Sequence, residues 1–329
     1  MKIVYLYPKS TFRTEFHSDT LWGILCWAIR MVYGNDELER ILNSYIEKKP
    51  EFIISSTFPF VKKNDEKFHY LPKPITKEIY EDQSQLSRKE RIKNALKRKK
   101  LKKVQLLELN DYTTFIKDPS KSKEIIEKIA EEKNLFSLQS ESIPHNTINR
   151  LTGGTLKLEN KSGQLFYVDE YYLNTFDENV KAGLFFLVKG NIDKLEGALR
   201  FLNHIGYGGD RNTGKGHFIY ELDDFSISEP NDFNAYTNLS LYYPTKEELE
   251  EFKNSNLFSY QLVERQGFVG FNTYKETYKP VTLMFAEGSV FPKIDVEYWG
   301  QNKIVMEKSE RLPHNIYQYG FGFMIKIKI

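Results

Sequence analysis

Eleven consecutive residues, Gly206–Gly216 with the sequence GYGGDRNTGKG, combine five glycines with two cations. Glycine contributes no side-chain packing, and ordering its backbone costs more conformational entropy than ordering any other residue. Such a stretch therefore predicts a steric role, the close approach of a backbone to another molecule. The residues between the glycines donate hydrogen bonds, and successive N–H groups in such turns favour anions. We interpret Gly206–Gly216 as a loop that faces phosphate; a mobile surface turn is the alternative.

The segments on either side of the glycine loop exclude a nucleotide-binding P-loop. Residues Ile192–Ile205 place apolar side chains at helical spacing, and His217–Leu222 alternates like a strand. Gly209–Lys215 matches G-x-x-x-x-G-K, but a P-loop next needs a hydroxyl for magnesium, and residue 216 is glycine. A P-loop also runs from strand into helix, which is the opposite order. These two differences argue against an ATPase.

Composition limits the class of protein further. A chain of 329 residues predicts two domains. The single cysteine, Cys26, excludes an internal disulfide framework and a cysteine-rich zinc site. No apolar stretch approaches the length of a membrane span, and the N-terminus does not resemble a signal peptide. We expect a cytoplasmic protein with no membrane partner, no cofactor and no metal.

The positive charge of the chain is local. The net charge is only +2, with 47 Lys and Arg against 45 Asp and Glu. Residues 86–105 nevertheless hold ten Lys or Arg against one acid, Glu90, so the remainder of the chain is net acidic. A concentrated basic segment is the electrostatic footprint of a polyanion-binding protein, although charge runs are often solvated faces.

Hydrophobic periodicity predicts a mixed α+β fold in which the glycine loop joins the last helix and strand of the first domain. The pattern predicts, in chain order, a strand over Lys2–Tyr7, a helix from Thr20 to Gly34 capped by Ser18 or Asp19, a helix over Asp36–Lys48, a strand over Phe52–Phe58, a polar loop over Lys62–Pro74, a projecting basic arm or solvated helix over Lys77–Leu109, a helix over Ser122–Lys133, a polar run over Ile143–Gly154, and strands over Gln164–Leu173 and Gly183–Val188, the latter central.

This order, β-α-β, insertion, β-α-β, is the ferredoxin-like (RRM-like) order. A weaker repetition follows, with strands over Leu239–Tyr243, Tyr260–Val263, Val281–Ala286 and Gly320–Ile327 and a helix over Thr245–Phe252. We predict two ferredoxin-like domains: residues 1–223, with an inserted basic arm at about 62–145, and a degenerate copy at 224–329. The Asp, Ser and Pro content of Asp224–Asn234 marks it as the linker.

Three segments together resemble a known family: Lys9–Leu25 with its core HSDTLWG, the NRLTG segment at Asn149–Gly153, and the glycine loop. They are similar to the RAMP proteins of CRISPR effector complexes, and within that superfamily most similar to the fourth subunit of the type III-A Csm complex. Residues Ile54–Pro59 and Tyr317–Phe321 extend the resemblance over nearly the whole chain.

The resemblance implies a non-catalytic RNA-binding subunit that holds the 5′ handle of the CRISPR RNA (crRNA). It implies a position between the large polymerase-like subunit and the first backbone RAMP subunit, in antiviral defence. The basic insertion resembles the thumb with which related subunits clamp or displace guide nucleotides.

Single-stranded RNA is held by cations on its phosphates, by polar groups on its 2′-hydroxyls and base edges, and by stacking on flat side chains. Among possible stacking residues, Phe12, Phe16, Tyr207 and Phe218, we expect core packing for Phe16 and Phe218 and leave Tyr207 open between the two. The candidate RNA-binding residues are Lys9, Ser10, Arg13, His17, Asn149, Arg150, Gly206, Tyr207, Gly208, Gly209, Arg211, Asn212, Thr213, Gly214, Lys215 and Gly216, with Lys97, Arg98, Lys99, Lys100 and Lys103 from the basic segment.

The alternative function is a metal-independent RAMP endoribonuclease that processes CRISPR precursor RNA. Such cleavage needs a base for the 2′-hydroxyl and an acid for the leaving oxygen, and histidine suits both. Of His17, His145, His204 and His217, none has a partner at a spacing that indicates catalysis. His17 is the best candidate, but anchoring of the turn before the helix is the favoured interpretation.

Overall fold

A computed structural model describes residues 1–76, 87–132, 135–156, 165–267, 269, 278–309, 312 and 314–329, without the side chains of Lys93 and Lys97. It shows a mixed α+β fold, as predicted. The first part of the predicted basic arm, residues 77–86, and the ends of two predicted elements, Lys133 and Gln164, lie outside the described residues.

The helices in the described ranges are Ser18–Tyr33 (α1), Asn35–Ile46 (α2), Arg88–Lys102 (α3), Leu109–Lys117 (α4), Ser122–Glu131 (α5), Asp193–Ile205 (α6) and Lys246–Lys253 (α7). The strands in the same ranges are Lys2–Pro8 (β1), Phe52–Ile54 (β2), Phe58–Lys63 (β3), Glu66–Pro72 (β4), Leu106–Glu108 (β5), Phe136–Asn146 (β6), Leu165–Thr175 (β7), Val180–Gly190 (β8), Phe218–Asp224 (β9), Ala235–Asn238 (β10), Leu262–Arg265 (β11), Thr282–Phe285 (β12), Val290–Pro292 (β13), Trp299–Gly300 (β14), Lys303–Met306 (β15), Ile316–Gln318 (β16), Phe321–Gly322 (β17) and Met324–Ile327 (β18).

The largest sheet has the order β5-β4-β3-β8-β1-β9, and β2 pairs with β8. Strand β1 lies between β8 and β9 and is antiparallel to both, with Tyr5 opposite Phe185 on one side and Glu221 on the other. The predicted central strand, Gly183–Val188, falls inside β8, where six consecutive residues are buried. Helices α1 and α6 pack against each other in this part of the molecule. The glycine loop therefore leaves α6 and enters β9, the edge strand beside β1.

The predicted polar loop over Lys62–Pro74 is wrong, because β3 and β4 form a hairpin there. Asn64 and Asp65 form the two-residue turn, and both have positive φ angles, 50° and 66°. Such turns need left-handed backbone at both central positions, which Asn and Asp tolerate. The Asn-Asp pair was the signal for this hairpin. Through β4 and β5, part of the predicted insertion joins the main sheet.

The polar run over Ile143–Gly154, for which no secondary structure was predicted, begins as a strand, since its first part belongs to β6. Strands β6 and β7 form a hairpin of eleven residue pairs, from Phe136–Thr175 to Asn146–Leu165. Strand β6 pairs with β7 alone among the described strands. A strand with one free edge accommodates Pro144, which has no N–H to donate.

The start of α1 differs from the prediction that Ser18 or Asp19 is its cap. The cap residue is His17, whose carbonyl oxygen accepts the N–H groups of Thr20 and Leu21. The Ser18 hydroxyl instead accepts a hydrogen bond from the N–H of Leu241. Helix α1 therefore begins where the N-terminal part of the chain meets the C-terminal part.

Where the structure describes it, the C-terminal part has a three-stranded sheet, β13-β10-β18, and three two-stranded pairs. The strand predicted over Leu239–Tyr243 lies earlier, at β10. The side chain of Asn238 bonds to the backbone N–H and carbonyl of Ser240, and the Ser240 hydroxyl donates to the carbonyl of Phe321. These side-chain hydrogen bonds take the place of regular strand pairing. One buried core joins both parts, since Tyr319, Phe321 and Ile325 belong to the same cluster as the β1 and α1 residues.

Candidate nucleic-acid interface

The glycine loop lies against the turn that follows β1. The N–H of Gly216 donates to the carbonyl of Thr11 at 2.8 Å, and the N–H of Lys9 donates to the carbonyl of His217 at 2.7 Å. The Ser10 hydroxyl accepts from the N–H of His217 at 3.0 Å. The structure thus brings together two segments that are about 200 positions apart in the sequence.

The loop glycines serve different purposes. At Gly216, φ is 68°, and a Cβ atom would overlap the carbonyl oxygen of Tyr207. At Gly209, where φ is not positive, a Cβ atom would make ordinary contact with the Arg13 side chain, at 3.5 Å or more. Gly216 is therefore required by the fold itself, whereas Gly209 leaves an open surface beside a cation.

Two cations of the site are already engaged by carboxylates. Arg13 forms a short ion pair with Asp210, whose side chain is one-third exposed. Lys215 donates to Glu170 at 2.6 Å and to the Thr11 hydroxyl at 3.0 Å. Burial would raise the pKa of Glu170, but the hydrogen bonds from Lys215 and Thr11 hold it below its ordinary value. The carboxylates of Asp210 and Glu170 were not singled out from the sequence, because no local pattern links them to their partners.

The remaining polar candidates of the two segments lie at the surface. Lys9, Asn212, Thr213 and Gly214 are exposed, and Arg211 is partly exposed. Residues Arg211–Thr213 form one short 3-10 turn at the tip of the loop, closed by hydrogen bonds to Asp210.

The aromatic candidates form a buried cluster beneath the loop. Tyr207 is 8% exposed and lies 4.1 Å from Phe16 and 5.2 Å from Phe218 between ring centroids. The expected core packing of Phe16 and Phe218 is confirmed, and Phe12 is buried with them. The structure uses the Tyr207 ring for packing, so the stacking role left open for it is not available to the buried ring.

The His17 ring lies between two carboxylates. Its Nδ1 is 2.8 Å from Glu287 Oε1, and its Nε2 is 3.4 Å from Glu15 Oε2. Burial alone would lower the pKa of His17, but the hydrogen bonds with Glu15 and Glu287 raise it to about 10. A group with this pKa carries its proton at neutral pH and is not available as a general base.

Residue Asp19, two positions after His17, is also bound to the C-terminal part. Arg265 donates to both of its oxygens, at 2.9 Å and 3.0 Å, and Gln318 donates at 2.5 Å. The favoured anchoring interpretation of the His17 turn matches this arrangement. The sequence does not identify Glu287, Arg265 or Gln318, which lie more than 240 positions away.

The segment with Asn149 and Arg150 lies apart from the glycine loop. It belongs to the described part of the tip of the β6–β7 hairpin. There the N–H of Gly153 donates to the carbonyl of Asn149, and the N–H of Asn149 donates to the carbonyl of Gly154. Leu165 is the residue of β7 nearest to the tip that still pairs with β6. Glu170, the partner of Lys215, lies five residues further along β7. This separation is roughly 17 Å along the strand. The tip is exposed, with Leu151 at 96%.

Of the segment predicted as a projecting basic arm or a solvated helix, Arg88–Lys102 forms α3, and Leu106–Glu108 at its end forms β5 instead. The Ser87 hydroxyl and the Glu90 carboxylate cap the first turn of α3 reciprocally. Helix α3 packs on α5, which takes no part in the glycine loop. Of the candidates, Lys99, Lys100 and Lys103 are exposed and Arg98 is partly exposed, while the side chain of Lys97 lies outside the described residues.

Over the described ranges, no three His, Cys, Asp or Glu side chains group in an arrangement that holds a metal ion. In the same part of the chain, none of the helices combines the length and apolar character needed to cross a membrane. The four histidines considered for catalysis lie in separate elements, at the start of α1, in β6, at the end of α6 and before β9.

Comparison with known proteins places these observations in a family. Residues 6–219 match the RAMP superfamily, and residues 231–327 match the CRISPR Csm4 C-terminal domain. The chain is 25% identical over 338 residues to the CRISPR system Cms protein Csm4 of Thermococcus onnurineus (strain NA1), covering 99% of this chain and 96% of that protein.

Solved structures share the fold over the whole chain. A chain of a Csm3–Csm4 subcomplex of the type III-A CRISPR-Cas interference complex is similar with a TM-score of 0.61 and 21% identity, covering 100% of both chains. A chain of a Csm1–Csm4 cassette in complex with cA4 is similar with a TM-score of 0.59 and 20% identity, covering 100% of this chain and 98% of that one. Since the superfamily match spans almost two-thirds of the sequence, the chain belongs to the RAMP superfamily.

Proposed function

We propose that this chain is the Csm4-type subunit of a type III-A CRISPR effector complex and holds the 5′ handle of the crRNA without cutting it. The observation that carries the proposal is the joining of the glycine loop to the turn after β1. Backbone N–H groups, Lys9, Arg13, Arg211 and Lys215 belong to these two segments. Cations beside an open glycine backbone suit an RNA strand held by its phosphates.

The matches in both parts of the chain support the assignment to an effector complex. The relatives of similar fold were solved with Csm3 in one case and with Csm1 in the other. We therefore propose that this chain contacts a large polymerase-like subunit and a backbone RAMP subunit.

We also propose that the chain comprises two ferredoxin-like domains, 1–223 and 224–329. The strand order β9-β1-β8-β3, together with the packed helices α1 and α6, supports the domain at 1–223. In the second, the described strands are divided among four small sheets. The domains share a core, and we infer that they form one cooperative unit.

A non-catalytic role is supported by the state of His17. Metal-independent RNA cleavage needs a group that accepts the proton of the 2′-hydroxyl at neutral pH. The best histidine candidate is instead protonated and bonded to Glu15 and Glu287. This arrangement favours an anchoring role over the endoribonuclease alternative.

The test uses the purified chain and a single-stranded RNA that carries the repeat-derived 5′ handle. Fluorescence anisotropy measures binding, and gel analysis of the RNA detects cleavage. We expect salt-dependent binding, weaker binding to a scrambled RNA of equal length, and no cleavage. Co-expression with Csm1-type and Csm3-type subunits should yield a co-purifying assembly. Equal binding to both RNAs, or cleavage that disappears in His17→Ala, would contradict the proposal.

A further inference from the structure

We propose that Arg13 is the side chain that takes an RNA phosphate at this site, and that Asp210 is the counter-ion that holds Arg13 in place until the RNA arrives. This inference rests on the proposed RNA-binding function and refines it. It assigns different roles to Arg13 and Lys215. Arg13 exchanges its partner when RNA binds, whereas Lys215 remains bound to Glu170 with and without RNA.

The surroundings of Arg13 allow its partner to be exchanged. The side chains of Arg13 and Asp210 are 29% and 36% exposed, so both groups are in contact with solvent. Arg13 lies along the backbone of Gly209, where no side chain separates it from the surface of the loop. An ion pair in contact with water contributes little net free energy, since both groups regain hydration when it opens. A phosphate arriving at Gly209 therefore meets an arginine that separates readily from its carboxylate.

The surroundings of Lys215 oppose such an exchange. Glu170 is 3% exposed, and its Oε2 accepts from both Lys215 and Thr11. Removal of the lysine would leave a buried carboxylate with one neutral donor, and an unpaired buried charge is strongly destabilising. We infer that Lys215 holds the loop onto β7 and contributes to RNA binding only through its long-range field.

The chemistry of the guanidinium allows transfer of Arg13 from the Asp210 carboxylate to an RNA phosphate. A guanidinium donates two parallel hydrogen bonds to phosphate oxygens, a geometry that it also offers to carboxylates. Once the phosphate is bound, Asp210 stays nearby as a like charge and weakens the complex. The wild-type affinity therefore includes a penalty from Asp210 that a neutral residue at this position would remove.

The substitution that isolates this penalty is Asp210→Asn. Asn tolerates the left-handed backbone that residue 210 adopts at φ 57°, and the backbone hydrogen bonds to its carbonyl are retained. We expect Asp210→Asn to bind handle RNA roughly three- to tenfold more tightly than wild type at low salt. The matched control is Asp224→Asn at the end of β9, which removes one negative charge from an exposed ion pair with Lys2 of β1. This control should change affinity less than twofold.

A double-mutant cycle with Arg13→Gln completes the test. Arg13→Gln should weaken RNA binding, and the gain from Asp210→Asn should disappear in the double variant. Glu170→Gln should lower thermal stability without a gain in affinity. The inference is overturned if wild type binds RNA but Asp210→Asn matches Asp224→Asn, or if the gain persists without Arg13. Failure of wild type to bind handle RNA at all would overturn the proposed function instead.

Discussion

Individual residues divide the glycine loop into positions required by the fold and positions free to face a ligand. Gly216 belongs to the first class, because its backbone is left-handed and the Tyr207 carbonyl occupies the space of a Cβ atom. Gly209 belongs to the second class, because a Cβ atom there would make only ordinary contacts. A glycine-rich sequence alone does not distinguish these two uses.

We expect Gly216→Ala to lower the free energy of unfolding by roughly 2 kcal/mol or more, since strain and overlap add. Gly209→Ala should leave stability within about 0.5 kcal/mol of wild type. It should weaken RNA binding if the RNA backbone approaches that surface. Urea unfolding and RNA titration of both variants separate the effects. A stable Gly216→Ala protein would contradict the role assigned to this residue.

At the scale of elements, α3 depends on its own sequence more than on packing. Ile92 and Leu96 are 53% and 61% exposed, so its apolar residues contribute little to the core. The Ser87–Glu90 capping box and strong helix formers stabilise it instead. The result is a helix that presents cations to solvent beside α5.

Replacing Lys99, Lys100 and Lys103 with Gln should reduce the dependence of RNA affinity on salt. Each lost phosphate contact lowers the slope of log K against log salt by about 0.7 for single-stranded RNA. The control replaces three exposed lysines elsewhere, Lys48, Lys49 and Lys246. Its salt dependence should stay closer to that of wild type than the salt dependence of the α3 variant does. Equal slopes for the two triple variants would remove α3 from the RNA-binding surface.

At the scale of the whole molecule, the His17 turn ties the two parts of the chain together. His17 contacts Glu287, and Asp19 contacts Arg265 and Gln318. The Ser56 hydroxyl donates a short hydrogen bond to the same Glu287 oxygen. In the apolar core that both parts share, Trp22 stacks on Tyr319. We expect a single cooperative unfolding transition.

The pH dependence of stability tests this junction. The folded-state pKa of His17, about 10, lies above the usual value of 6.5. Its contribution to stability is therefore fully present below pH 6.5 and is lost as the pH rises through about 10. Between pH 6.5 and 10.5 the free energy of unfolding of wild type should fall by about 2–4 kcal/mol more than that of a His17→Gln/Glu287→Gln variant. Parallel pH profiles for the two proteins would rule out an ionised His17–Glu287 pair.

Local patterns predicted many elements of the fold because they depend on neighbours in the chain. The periodicities before and after the glycine loop correspond to α6 and β9, and the cation-rich segment corresponds to α3. The predictions failed where local signals were weak or were outweighed by tertiary contacts. Residues 62–74 form a hairpin around a turn signal that was overlooked, and Ser18 bonds to Leu241 instead of capping α1.

By itself, the sequence determined the order of helix, glycine loop and strand, the basic helix and the resemblance to the RAMP superfamily, since each depends on neighbouring residues or on motifs. Only the tertiary structure decided the partners of the site residues. The pairs Arg13–Asp210, Lys215–Glu170 and His17–Glu287 join positions 197, 45 and 270 residues apart. Such contacts depend on how the sheet and helices pack, so no local pattern encodes them. For the same reason, Tyr207 is drawn into the core between Phe16 and Phe218 although glycines flank it.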